Sequence, residues 1–291
     1  MSAFTYTVLE GRGIIRITGK DARDFLQGVV SNDITNVTER RAIYAALLTP
    51  QGKYLFDFFI VEFDGALLLE TELARIPELI KRLTMYKLRA KADLVDISND
   101  WRILAAWGEG AAEAFSLAQE PGLAESKDTG LAFVDPRLAK AGVRFLSPKF
   151  DALPEMERAP LEAYDSHRLA LGLPDGSRDL VLEKSILLES GFDELHGVDW
   201  NKGCYMGQEL TARTKYRGLV KKRLVPVTLD GPLPEPGTLV TAGGKSVGEI
   251  RSGRNSRALA LIRLEFLEGG GETLQAGNTT VTPEKPDWAS F

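Results

Sequence analysis

From Gly218 onward the chain carries no helical period. The stretch LVKKRLVPVTLDGPLPEPGTLVTAGGKSVGEIRSGRNSRALALIRLEF, residues 219–266, sets short apolar runs between glycines and prolines. Turn signals recur about every 8–12 residues, the spacing of strands in an all-β sandwich or barrel. This predicts a small module of about six strands. Before it, strand and helix patterns mix without regular strand–helix alternation. That predicts an α+β region with antiparallel sheets rather than a doubly wound parallel fold. The expected domains are 1–217 and 218–291.

Within the first region, residues 4–17 read as a strand pair turning at Gly11-Arg12-Gly13. DARDFLQG reads as a short helix opened by Asp21 and stopped by Gly28. AIYAALLTPQGKYLFDFFIVEF reads as a hairpin around Thr49-Pro50-Gln51-Gly52. Ile76, Leu79, Ile80 and Leu83 repeat at helical spacing, with Pro77 in the first turn. EGAAEAFSLAQ reads as a helix, residues 120–130 as a polar loop, and APLEAYDSHRLALGLPD as a helix ended by Gly172 and Pro174. No Gly-x-Gly-x-x-Gly follows a strand, and there is no phosphate loop.

Composition limits the chemistry. With 44% hydrophobic and 26% charged residues in 291, the chain can bury an ordinary core. A net charge of −5 gives no global attraction to nucleic acid or to an anionic membrane. No apolar run approaches a membrane span, and the N-terminus lacks a secretory pattern. A single cysteine excludes an intrachain disulfide and suits a reducing compartment, so a cytoplasmic monomer is expected. One cysteine and two histidines, His167 and His196, cannot enclose a structural zinc ion or an iron–sulfur cluster. No metal site is expected within the monomer, and any cluster chemistry needs a partner.

The one cysteine, Cys204, stands in NKGCYMGQE between Gly203 and Gly207. QELTARTKY, which follows, reads as a short helix, so Cys204 leads into a helix N-terminus. Lys202 precedes it, and Arg213, Lys215 and Arg217 follow. Free N–H groups and cations favour a thiolate in such a place. The competing reading is a small buried hydrophobe, the commonest state of a free cysteine. Glu209 and Arg213, at i and i+4, read equally well as a surface ion pair.

KGCYMGQE resembles the ungapped signature of the YgfZ family, folate-binding proteins similar in fold to the glycine-cleavage aminomethyltransferase (GcvT). FLQGVVSNDI (25–34), AALLTPQGKYLFDFFI (45–60), YKLRAKADL (86–94), RLALGLPDGSRDL (168–180), LESGFDELHGVDW (188–200), ARTKYRG (212–218) and GKSVGEIRS resemble further family segments in order. The resemblance implies two interwoven α+β units forming a disc with a central channel, plus a C-terminal β-barrel. It implies a tetrahydrofolate-binding factor for assembly or repair of iron–sulfur proteins, including radical enzymes that thiomethylate tRNA. Its partners would be iron–sulfur enzymes or cluster carriers met transiently, without direct nucleic-acid or membrane binding. The resemblance implies that Cys204 is the functional thiol, within a signature of Lys202, Gly203, Tyr205, Gly207, Gln208 and Glu209. Glu189 stands where related aminomethyltransferases use a glutamate on the pterin, and Arg213 and Arg217 are candidates for the folate's glutamate tail. Two departures separate the chain from those transferases. MGQE replaces their IGRE, and LLLETELARIPEL, with Glu70 and Glu72, lacks their Asn-Ala stretch. The alternative function is a folate-dependent aminomethyl transferase in which Cys204 is structural.

Overall fold

The computed structural model describes residues 4–127, 129–148, 157–267 and 272–291. The chain divides into two compact units. One comprises Met1–Leu48, Leu55–Tyr164 and Leu195–Met206, the other Thr49–Tyr54, Asp165–Glu194 and Gly207–Phe291.

The first unit holds two sheets. A five-stranded sheet runs in the order Ile43–Leu48, Tyr54–Phe63, Ala66–Glu72, Arg12–Thr18, Asp93–Asp96. A six-stranded sheet runs in the order Glu157–Arg158, Phe4–Val8, Arg102–Gly108, Val143–Ser147, Gly130–Val134, Ala124–Lys127. Its one described parallel pairing joins Phe4–Val8 to Glu157–Arg158. The mixed, mainly antiparallel α+β architecture is therefore as expected. Helices α1 (Ala22–Gln27) and α2 (Ile76–Lys87) lie on the outer face of the five-stranded sheet. There Phe25, Leu26, Ile76, Leu79 and Leu83 share one core with Ile15, Ile17, Leu47, Phe58, Ile60 and Leu69.

Strand alternation puts the opposite set of side chains on the inner face. Tyr44, Asp57, Phe59 and Glu70 meet Phe133, Asp135 and Arg144 of the six-stranded sheet, and a buried ionic network forms there. Glu70 accepts from Arg12 and Arg144, each at 2.8 Å. Arg137 clasps Asp135 at 3.0 and 2.8 Å, and Tyr44 donates to Asp57 at 2.8 Å. Phe59 lies beneath three guanidinium groups, 4.2 to 5.9 Å from its centroid. Burial opposes ionisation of Asp135, but Arg137 and Arg144 outweigh it and hold the carboxyl below its usual range. Desolvation offsets much of the Coulomb gain in such a buried network.

Three local expectations are corrected. Phe4–Val8 and Arg12–Thr18 are both strands but do not pair with each other; each joins a different sheet. Arg12 N donates to Leu9 O in a tight turn, which redirects the chain from one sheet to the other. The expected helix at 109–119 shortens to α3 (Ala111–Ala114). Ser116 takes φ 58°, outside the right-handed helical region, so the helix cannot run through it, and Phe115 and Leu117 on either side are both buried. The expected polar loop at 120–130 contains the edge strand Ala124–Lys127.

The second unit contains most of α4 (Leu161–Ala170), all of α5 (Gln208–Tyr216) and a closed six-stranded barrel. The barrel order is Lys222–Asp230, Arg257–Arg263, Lys245–Arg254, Leu239–Ala242, Leu274–Ala276, Thr279–Pro283. Closure leaves no free edge, and Val225, Val227, Val240, Ile250, Ala260 and Ile262 fill the interior. Buried Arg168 on α4 binds Asp165, Asp179 and Ser252, tying the helix to the barrel strand. Arg168, Asp179 and Ser252 are each hydrogen-bonded, as buried polar groups must be.

Candidate functional site

The signature loop belongs to the first unit. Two segments distant in sequence hold it. Ser31 Oγ donates to Gly197 O at 2.6 Å, and Asn32 Nδ2 donates to His196 O and Tyr44 O, both at 2.7 Å. Asp199 N donates to Ser31 O. The two resembling segments, 25–34 and 188–200, thus bind each other through backbone groups. His196 is half-buried with φ 58°, and burial pushes its imidazole below the usual range, with Arg41 acting the same way.

Lys202 then pins the loop. Its Nζ donates to Gln27 O at 2.7 Å and to Val30 O at 2.5 Å. Gln27 is the last residue of α1, so the lysine caps a carbonyl that the helix leaves open and binds that of Val30 just beyond it. Gln27 Nε2 returns a bond to Lys202 O at 3.2 Å, and Nζ sits 5.1 Å from the Tyr205 ring centroid. Burial pulls Lys202 down to about 8, against the opposing pull of Asp33 and Asp199. Gly203 follows with φ 90°, a conformation open to glycine, and Tyr205 turns its ring into the protein. Between them Cys204 is exposed. The buried-hydrophobe reading of this thiol is therefore excluded.

Three of the four cations that the sequence groups around Cys204 are engaged elsewhere. Lys202 is engaged as above. Arg213 pairs with Glu209 at 2.5 Å on the surface of α5, the i,i+4 pair weighed as the plain reading. Lys215 lies 3.9 Å from Asp193, and Arg217 is exposed. Gly207 takes φ 80° directly before α5, and Gln208 is the first residue of that helix.

Glu189 lies in the second unit, in the short 3-10 turn Leu187–Ser190. It is half-buried, and among the described residues its carboxylate makes no hydrogen bond. Burial pushes it above the usual range, against Lys222, Lys53, Arg223 and Arg251. Sequence reasoning did not find these cations. Arg223 donates to Leu188 O and to Glu194, each at 2.7 Å, and fixes the turn that carries Glu189. Among the described residues, Arg223 Nε, Arg251 Nε and Asp193 Oδ1 are buried without a hydrogen-bond partner. Asp193 is raised by burial and by Glu194 beside it. The one signal in sequence was the basic run Lys221-Lys222-Arg223.

The fold and these segments define a class. Residues 10–135 match the GCVT N-terminal domain, and 221–291 match the CAF17 C-terminal beta-barrel domain. The glycine cleavage system aminomethyltransferase T from Bartonella henselae superposes with a TM-score of 0.79 at 14% identity, over 99% of this chain and 87% of that one. The protein is a GcvT-like chain with a CAF17-type barrel.

Within that class the relatives are specific. The iron-sulfur cluster assembly factor IBA57, mitochondrial, of Mus musculus is 34% identical, over 98% of this chain and 86% of its own length. The Homo sapiens protein of the same name is 33% identical, over 96% and 84%. The chain belongs to this family of iron–sulfur cluster assembly factors. The YgfZ resemblance thus stands at the level of this wider GcvT-like family. The cytoplasmic expectation is corrected by the same finding, since these relatives are named as mitochondrial. A low cysteine count, and the lack among the described residues of a helix long and apolar enough to cross a membrane, do not distinguish one reducing compartment from another.

Proposed function

We propose that the chain assists the loading or repair of iron–sulfur proteins, with the Cys204 thiolate as one ligand of a cluster in transit. The observation that carries this reading is the placement of Cys204. It is the only cysteine, it is exposed, and a half-buried lysine, a glycine at positive φ and two backbone-bound segments hold its loop. Among the described residues no group of three His, Cys, Asp or Glu could hold a metal. A cluster ordinarily takes four protein ligands, so the remaining ones come from the partner or from a small thiol. The relatives' names support cluster assembly as the process. Radical enzymes that modify tRNA are one class of acceptor.

Tetrahydrofolate is the proposed ligand of the second unit. The residues present fit it: Glu189 is an acceptor without a donor, and the pterin offers adjacent donor nitrogens. Arg217, exposed and with no ion pair among the described residues, could take the glutamate tail. Arg213 could do so only by leaving Glu209. Folate, when bound, supplies a one-carbon carrier; the chain's part is to bind and orient it.

The test is anaerobic transfer from a loaded cluster donor to an apo-acceptor enzyme. Cys204→Ser should abolish the gain in acceptor activity while tetrahydrofolate binding, measured by calorimetry, is kept. An equal gain with the serine variant removes Cys204 from the chemistry. Aminomethyl transfer by the wild type would favour the transferase reading instead.

A further inference from the structure

The segment 81–91, KRLTMYKLRAK, holds five cations and no carboxylate in a chain of net charge −5. Its apolar side chains are divided. Leu83 of α2 is buried, but Met85 is 63% and Leu88 85% exposed. Lys81, Met85 and Leu88 follow one another at i, i+4 and i+7, on the face turned away from the core. Leu88 also adopts φ 48°, ψ −107°, a region costly for a residue with a side chain. Its own packing does not hold it there, because it has almost none.

The backbone on either side does. Lys87 Nζ donates to Ala92 O at 2.6 Å, and Ala90 N donates to Lys87 O at 2.8 Å. Lys91 N donates to Asp21 Oδ2 at 2.8 Å, and Asp21 N donates back to Lys91 O at 3.2 Å. Gly19 permits this approach: a Cβ there would stand 2.2 Å from Lys91 O. The turn is thus clamped with its leucine outward. Of the five cations, Arg82 reaches Glu78 and Lys87 serves the turn. Lys81, Arg89 and Lys91 are exposed, with no ion-pair partner among the described residues.

The place of this turn in the unit gives its use. Asp21, which clamps Lys91, directly precedes α1, and Gln27, which receives Lys202, ends it. Six helical residues span roughly 9 Å. The Leu88 turn and the Cys204 loop are therefore anchored at opposite ends of one short rigid helix. We propose that Met85 and Leu88, ringed by Lys81, Arg89 and Lys91, form the docking surface for the acidic protein that exchanges a cluster at Cys204. That protein would offer an apolar pocket rimmed by carboxylates. Two apolar side chains at one helix end are too few for membrane adsorption, which needs a continuous apolar face. They suit an anchor-and-rim contact between proteins. The inference rests on the proposed role of Cys204.

A photo-crosslinking phenylalanine analogue at position 88, activated in living cells, captures the neighbour for identification. The captured protein is then purified in its apo form and titrated against wild type, Leu88→Gly, Leu88→Asp, Arg89→Glu/Lys91→Glu and Cys204→Ser. Leu88→Gly removes the side chain and relieves the positive φ, so its fold is secure. The proposal holds if the protein is acidic, binds more weakly at high salt, and loses at least tenfold in affinity with each Leu88 variant and with the charge reversal. Cys204→Ser should bind as wild type does, because no cluster is present, so failure of the thiol's role leaves this result standing. Absence of an adduct, or unchanged affinity of Leu88→Gly, overturns the proposal. So does binding of wild type, but not Leu88→Asp, to phosphatidylglycerol vesicles, which would make the surface a lipid contact.

Discussion

Replacing Lys202 by methionine keeps the aliphatic stem near Tyr205 and removes the ammonium that bridges Gln27 O and Val30 O. Two effects oppose each other. Each hydrogen bond from a charged donor is worth about 1.5–3 kcal/mol. Burial works the other way, holding the group at about 8 instead of the ordinary lysine value of 10.5. That gap corresponds to at most about 3.4 kcal/mol, and to roughly half as much once solvent screening of a partly exposed group is allowed for. The variant should therefore lose about 2 kcal/mol at pH 7. The pH dependence separates this account from simple loss of packing. Because the folded-state value lies below the unfolded one, the unfolded chain holds more protons between about pH 8 and 10.5, and wild-type stability rises across that window. Relative to Lys202→Met, wild type should gain about 1 kcal/mol between pH 7 and pH 9.5. Urea unfolding of both proteins at each pH measures the difference, and amide exchange of residues 203–206 at pH 7 should be faster in the variant. A difference that stays flat or shrinks with pH would refute the buried-ammonium anchor.

Three further outcomes follow from the same geometry. Glu70→Gln and Arg144→Met should each destabilise by about 1.5–3 kcal/mol in urea unfolding, because each removes a buried charged hydrogen bond while Arg12 still meets Glu70 and Asp135 still faces Arg144; the double variant should lose less than the sum. Glu189 is raised by burial, so its ionised form costs stability that is regained as pH falls to the carboxylate range. Glu189→Gln should then raise the melting temperature at pH 7, while calorimetry shows tetrahydrofolate binding weakened by about 1.5–3 kcal/mol; a lower melting temperature would contradict the burial cost. Cys204→Ser, at an exposed position, should leave stability within about 0.5 kcal/mol of wild type, and unfolding of this variant would contradict the loop geometry.

What the sequence made legible was whatever depends on neighbours along the chain. The barrel was readable because its strands follow one another with a glycine or proline turn between most of them, as in Ala242-Gly243-Gly244-Lys245. Helices α2 and α5 were readable from spacing and from Pro77 and Gly207. The thiol was conspicuous as the only one of its kind. The partners of each group were not readable, because they lie far apart in sequence. Lys202 looked like a cation beside a cysteine; its ammonium is bound 172 and 175 residues away, at Val30 and Gln27. Glu70 looked like one of two glutamates in a segment that departs from the transferases. Strand alternation turns it inward, where Arg12 and Arg144 meet it. Asp57, set within the apolar run LFDFFIV, was the available warning. A carboxylate there must either end the strand or find a buried donor, and it finds Tyr44. Leu88 marks the reverse case. Leucine is ordinarily buried, yet Leu88 stands on the outward face at the end of α2, 85% exposed and with its backbone at φ 48°. Local pattern predicts which face a side chain should take. Where backbone strain coincides with an exposed apolar side chain, as at Leu88, that position is the one to test for a partner.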